Sequence, residues 1–288
     1  MYNQFGPTAR ICFELPKRKS HLNKHRHRFK VALSSLSPTV LRGLVVGTRI
    51  FDIDQSDTSL TIILLKRLPG ADFSLSTVEI ITPTAEIAVW DQLRRETDTQ
   101  RRELYRDLAS VNLSGRLAGI VYEMLAHQKL LQWGTISLHL VPMIRRTLGG
   151  SGPRKKLPRW YSDHGDEESS LSIDIERTGE AWDPKPGPIK KNVYHAPHKS
   201  FQPAADSFIL DSDKNRLFVF QFTTATEHDI NEEILTFFSQ ASLPPRTNWH
   251  FVFVIPPDLS EFSCPQGRDE MKEFLEEIHL YSMVGYLG

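Results

Sequence analysis

The stretch Ala205–His228, ADSFILDSDKNRLFVFQFTTATEH, decides how the rest of the chain is read. Asp206 opens a short apolar run of Phe208, Ile209 and Leu210, and a turn-rich DSDKN follows at Asp211 to Asn215. Leu217 to Thr223 is then almost continuously apolar and β-branched. Two such runs around an Asp/Ser/Asn cluster predict a β-hairpin. Gln221 is the one amide inside the second strand, and a buried amide needs partners. The hairpin brings the start of the first strand, with Asp206, opposite Gln221. A carboxylate and an amide carbonyl at one end of a hairpin offer oxygen ligands to a hard divalent cation. Asp206 capping a turn and Gln221 satisfying a core hydrogen bond is the structural alternative.

Working outward, the helix HDINEEILTFFSQ is expected to turn Ile230, Ile234, Leu235, Phe237 and Phe238 inward, and NWHFVFVIPP reads as a buried strand. A last helix, Gly267 to His279, points Met271, Phe274, Leu275 and Ile278 inward, and a strand-like LYSMVGYL follows. Upstream, Leu117, Ile120, Val121, Met124, Leu125 and Leu131 recur at helical spacing before GTISLHLVPM, a strand. Glu123 lies on that helix with His127 one turn later. Arg145 to Pro203 is rich in Gly, Pro and acidic residues and is expected to be a long, partly disordered insertion. Within it VYHAPHKSF reads as a loop anchored by Tyr194 and Phe201, with His195 and His198 as ordinary loop residues.

Closer to the start, LTIILLKRL and Val78 to Ile81 read as strands. Pro83 leads into a helix with Ile87, Trp90 and Leu93 on its apolar face. Lys17 to Leu36 reads as a positively charged surface helix entered from a basic loop. The resulting division is a small α/β unit over 1–102 and a second domain over 103–288, with the insertion at about 145–200.

Composition narrows the class. Apolar residues make up 40% and charged residues 24% of 288, as in an ordinary globular chain. Two cysteines, Cys12 and Cys264, support neither a disulfide framework nor a zinc site, so a reducing, intracellular setting (nucleus or cytoplasm) is expected. No apolar run reaches the roughly 18 residues that span a bilayer, so no membrane partner is expected.

The charge is balanced but segregated. Leu15 to Phe51 holds nine Lys or Arg and no acid. Leu108 to Ser162 holds Glu123 alone among many cations. Lys129, Arg145, Arg146, Arg154, Lys155, Lys156 and Arg159 are the candidate contacts to a nucleic-acid backbone, with DNA the expected form. GGSGPRKK lacks the spacing of a phosphate-binding loop.

From Arg116 onward the expected order is helix, strand, strand, strand, helix, strand, in a mixed α/β sheet. That order resembles the restriction-endonuclease-like nucleases, whose acidic residue comes from the first helix, an Asp from the second strand and Glu-x-Lys from the third. Glu123, Asp206 and the pair Gln221 and Thr223 fall in those slots. FGPTARICF, GIVYEMLAH (Gly119 to His127), ADSF, QFTTATEHDI and FVFVIPP also resemble the C-terminal region of Crinkler-type effectors and the related retrotransposon hot spot proteins.

That resemblance implies a Mg²⁺-dependent phosphodiesterase site in which Asp206, Gln221 and Glu123 hold the metal. It also implies that Met1 to about Arg102 is the tail of an upstream ATPase module whose Walker loop is missing from this chain. Two departures bear on the chemistry. Gln221 replaces a negative charge at the metal, and Thr223 has no positive charge to stabilise the transition state. His127 and His228 are the accessory groups within the same motifs. Two readings stand side by side. One is a nuclease with weakened or lost cleavage. The other is a non-catalytic effector or transposon-derived protein that binds nucleic acid, host proteins or its own copies.

Overall fold

A computed structural model of the chain describes residues 19–34, 37, 39–40, 63–67, 76–80, 82–110, 115–130, 134–147, 158–163, 169–175, 177–182, 189–197, 204–238, 242–259, 261–267 and 269–285. The chain divides into two compact units, Met1–Leu125 and Ala126–Gly288.

The first unit carries helix α1 (Lys19–Ser34), an antiparallel pair of strands β1 (Ile63–Arg67) and β2 (Ser76–Ile80), and helices α2 (Pro83–Leu93) and α3 (Asp98–Ala109). It also holds the start of α4 (Gly115–Leu130). Thr82 caps α2, its hydroxyl accepting from the Ala85 N–H at 3.1 Å, and a Pro at the first position suits the helix start. The buried side of α2 is Ala85, Glu86, Val89 and Leu93. Ile87, expected inward, is 42% exposed, because the four-residue spacing 85, 89, 93 sets the stripe. A reciprocal Thr97/Gln100 capping box starts α3.

On α3, Arg101 is buried, donates to Leu93 O at 3.0 Å and pairs with Asp98. Leu104, Tyr105 and Leu108 are buried, and Tyr105 lies 5.6 Å from the Tyr122 ring of α4. These contacts place 103–125 with the first unit, so the compact units divide at Leu125 where the sequence suggested Arg102.

The second unit is organised on one ten-stranded mixed sheet. Its strands are β3 (Gly134–Arg146), β4 (Arg159–Ser162), β5 (Ser169–Ile175), β6 (Arg177–Trp182), β7 (Val193–Pro197), β8 (Ser207–Asp211), β9 (Arg216–Phe222), β10 (Trp249–Ile255), β11 (Ser263–Pro265) and β12 (His279–Val284). The order is β11-β4-β3-β12-β10-β9-β8-β7-β6, with β5 paired to β3 off that path. The hairpin β8–β9 is antiparallel, while β9, β10 and β12 run parallel to one another.

One expectation is corrected here: VYHAP, read as the start of a loop, is strand β7. Within the span read as a long, partly disordered insertion at about 145–200, the described residues contribute β4, β5, β6 and β7 to the sheet. The hairpin is flanked by β7 on the β8 side and β10 on the β9 side, and β3 lies beyond β12. Strand β7 is only five residues long and ends in a proline, so composition hid it.

One face of the sheet packs Phe208, Leu210, Leu217, Val219, Trp249, Phe251, Phe253, Ile255 and Leu280 into the core. Helix α5 (Ile234–Phe237) and the residues around it bring Ile234 and Phe238 to that core, and α6 (Asp269–Glu277) brings Met271, Phe274 and Leu275. The expected long helix over 228–240 is thus a single turn, with Leu235 and Phe237 only partly buried. Gly267, at φ 73°, leads into α6, and a Cβ there would lie 2.7 Å from Met271 Cβ.

The opposite face carries a buried polar chain. The Tyr194 hydroxyl donates to Ser207 Oγ at 2.8 Å and lies 2.5 Å from His127 Nδ1. A hydroxyl has one proton, so Tyr194 Oη accepts from His127 and the imidazole carries its proton on Nδ1. His127 also meets the Phe222 ring edge-on at 4.6 Å. Tyr194→Phe is expected to cost about 2–3 kcal/mol of stability by urea unfolding, because it strands two buried polar groups. Adding Ser207→Ala to that variant restores part of the loss, since one stranded group is then gone.

Candidate functional site

The turn of the hairpin is built by its own polar residues. Asp211 Oδ1 accepts from the Asp213 and Lys214 N–H groups, and Oδ2 takes the Arg216 guanidinium through two nitrogens. Asn215 occupies the left-handed region at φ 49°, which asparagine tolerates. With the turn fixed, the register follows: Ser207 faces Phe220 and Leu210 faces Leu217.

Asp206 extends that ladder by one residue, its N–H donating to Phe220 O at 3.0 Å. Its carboxylate is buried, and Oδ2 accepts from the Gln221 side-chain Nε2 and from the Phe222 N–H, both at 2.7 Å. Asp206 and Gln221 therefore meet, as the hairpin predicted. The amide, however, presents its nitrogen to the carboxylate, not its carbonyl. The physical reason is electrostatic, because an amide oxygen turned toward Oδ2 would set two acceptors against each other.

Thr223 is buried; its N–H donates to Val254 O at 3.0 Å and its Oγ1 accepts from the Ala225 N–H at 3.1 Å. His228 Nδ1 lies 2.8 Å from Asp229 O and its ring 6.2 Å from Phe253. Burial holds its pKa below the ordinary imidazole value. His127 belongs to the Tyr194 chain.

Glu123 falls in the first unit. Burial, with the negative Glu86 adding to it, pushes its carboxyl up to about 8. Glu86 is a buried residue that the sequence reading missed, since an acid within a helix normally faces solvent. Among the described residues no group of three or more His, Cys, Asp or Glu gathers as a metal site.

The described candidate nucleic-acid contacts are each paired. Arg145 bonds Glu276 at 2.7 Å, Arg146 bonds Asp163 at 3.1 Å, and Arg159 pairs with Glu227. Such exposed pairs add little stability, but they do cancel local positive charge. Arg154, Lys155, Lys156 and the side chain of Lys129 lie outside the described residues, as do His198 and Phe201. His195 sits on β7, buried, stacked at 4.7 Å on Phe208 and bonded to Lys190 O at 3.0 Å. Cys264 is buried, and burial first, then Asp229, pushes its thiol up to about 12, so it is not a nucleophile.

Among the described residues no helix is long and apolar enough to cross a membrane. No protein-family model, no curated protein and no solved structure matches this chain.

Proposed function

We propose that the second unit is a restriction-endonuclease-like fold whose hairpin site has become a structural clasp, and that the chain binds nucleic acid without cutting it. The observation that carries this is the hydrogen bond from Gln221 Nε2 to Asp206 Oδ2 at 2.7 Å. A catalytic metal needs oxygen lone pairs at this position. Here one carboxylate oxygen serves two N–H donors, and the amide turns a donor toward it. The donor set does not fit Mg²⁺ in this arrangement. Thr223 stands where the resemblance expects a lysine, and its hydroxyl is engaged with the turn at Ala225.

The order β7-β8-β9, then α5, then β10 supports the fold assignment, with Asp206 leading into the second strand and Gln221 on the third. The in-register meeting of Asp206 and Gln221 also favours a second reading, in which the site keeps enough geometry for Mg²⁺ once the amide rotates. Incubating the purified chain with plasmid, linear DNA and RNA in Mg²⁺, Mn²⁺ or EDTA separates the two. Retarded but intact nucleic acid in all three conditions is expected. Cleavage that requires the metal and disappears in Asp206→Ala would overturn the binding reading.

A further inference from the structure

Helix α1 is a second basic surface, on the first unit. Its 16 residues, KSHLNKHRHRFKVALS, contain no Asp or Glu. Phe29 and Ala32 are buried and fix the inward side of the helix. Lys24, Arg26, His27, Arg28 and Lys30 are exposed. Unlike Arg145, Arg146 and Arg159, the side chains of Lys24, Arg26 and Lys30 have no carboxylate partner among the described residues.

The charge density suits a phosphate backbone. Lys24 to Lys30 rises about 9 Å along the axis, so its four Lys or Arg stand roughly one per 3 Å. Duplex DNA carries one negative charge per about 1.7 Å of axis. A lipid surface would require an apolar face beside the basic one. On α1 the only large apolar side chain described as exposed is Val31, while Phe29 is turned inward.

We propose that α1 docks the phosphate backbone of a nucleic acid through Lys24, Arg26 and Lys30. This rests on the nucleic-acid partner proposed above but places the principal contact on the first unit.

The test is anisotropy of a labelled DNA duplex with the full chain in EDTA, across a salt series. It compares wild type with Lys24→Gln/Arg26→Gln/Lys30→Gln and with Arg145→Gln/Arg146→Gln/Arg159→Gln. Glutamine is a good helix former, so α1 persists in the variant, as circular dichroism will check. The α1 variant is expected to lose about two to three units from the slope of log affinity against log salt, and the arginine variant much less. An unchanged slope in the α1 variant overturns the α1 proposal while leaving nucleic-acid binding intact. Absence of wild-type binding to duplex, single strand and RNA overturns both. Salt-sensitive binding to phosphatidylserine vesicles in place of DNA overturns the assignment in favour of a membrane surface.

Discussion

Gln221→Glu is expected to destabilise the second unit by about 2–4 kcal/mol at neutral pH, by urea or thermal unfolding. The substitution removes the N–H that now meets Asp206 Oδ2 at 2.7 Å and sets a second carboxylate in its place. Two like charges at that separation, in a site with little water, cannot both stay ionised without cost. Acidification that protonates one of them removes the penalty, so the gap from wild type narrows below about pH 5. Addition of Mg²⁺ decides between clasp and metal site. A dication between two carboxylates converts repulsion into attraction. A variant that Mg²⁺ does not rescue is the expected result, and full rescue would restore the metal-site reading. Gln221→Glu with Thr223→Lys is expected to show no cleavage for the same reason.

The second large effect is on pH dependence in the first unit. Glu123 has its folded pKa pushed up to about 8 from an ordinary value of 4.5, because desolvation of the half-buried carboxyl opposes its charge and the field of Glu86 adds to that. The folded state therefore holds a proton that the unfolded chain releases. Its contribution is fully present below pH 4.5 and is lost as pH rises through about 8. Within that window stability falls by up to about 1.4 kcal/mol per pH unit from this group. Glu123→Gln is expected to flatten the profile and to raise stability above pH 8, where the wild-type carboxylate is charged and desolvated. Glu86→Gln removes the neighbouring charge and is expected to shorten the window without abolishing it. A profile that stays steep in Glu123→Gln would show that another group carries the linkage.

The hairpin was legible because every level of the sequence agreed on it. The strand runs, the DSDKN turn, the Asn at positive φ and the apolar face all specify one register. The inward residues of α6 were legible for the same reason: Met271, Phe274 and Leu275 repeat at a helical period on one side. Strand β7 was not, because its five residues are too short for a period-two signal and its pairing depends on β8, which follows later in the chain. The inward face of α2 was misread because large apolar residues at intervals of three outweighed small ones at intervals of four. Ala85 and Val89 bury completely, while Ile87 stays out.

At the hairpin site, sequence brought Asp206 and Gln221 together but not the sense of their contact. Donor and acceptor roles depend on which backbone N–H also reaches the carboxylate, here that of Phe222. The basic clusters were visible as composition, but their pairing with Glu276, Asp163 and Glu227 bridges 131, 17 and 68 residues. Such separations carry no local signature.

The position of β12 has a consequence for how the chain is made. It lies between β3 and β10, pairing Tyr281 with Pro142 and Leu280 with Phe251. Until residues 279–284 emerge from the ribosome, β3 and β10 each present an open edge toward the gap that β12 will fill. At about 5–20 residues per second, the wait from β3 to β12 lasts on the order of ten seconds. Closure joins segments far apart in sequence and is slow for that reason. Among the described strands the sheet is thus completed by the one made after the others and inserted into its middle, and since β10 ends at Ile255 the two edges stand open together for only the last few seconds of that wait.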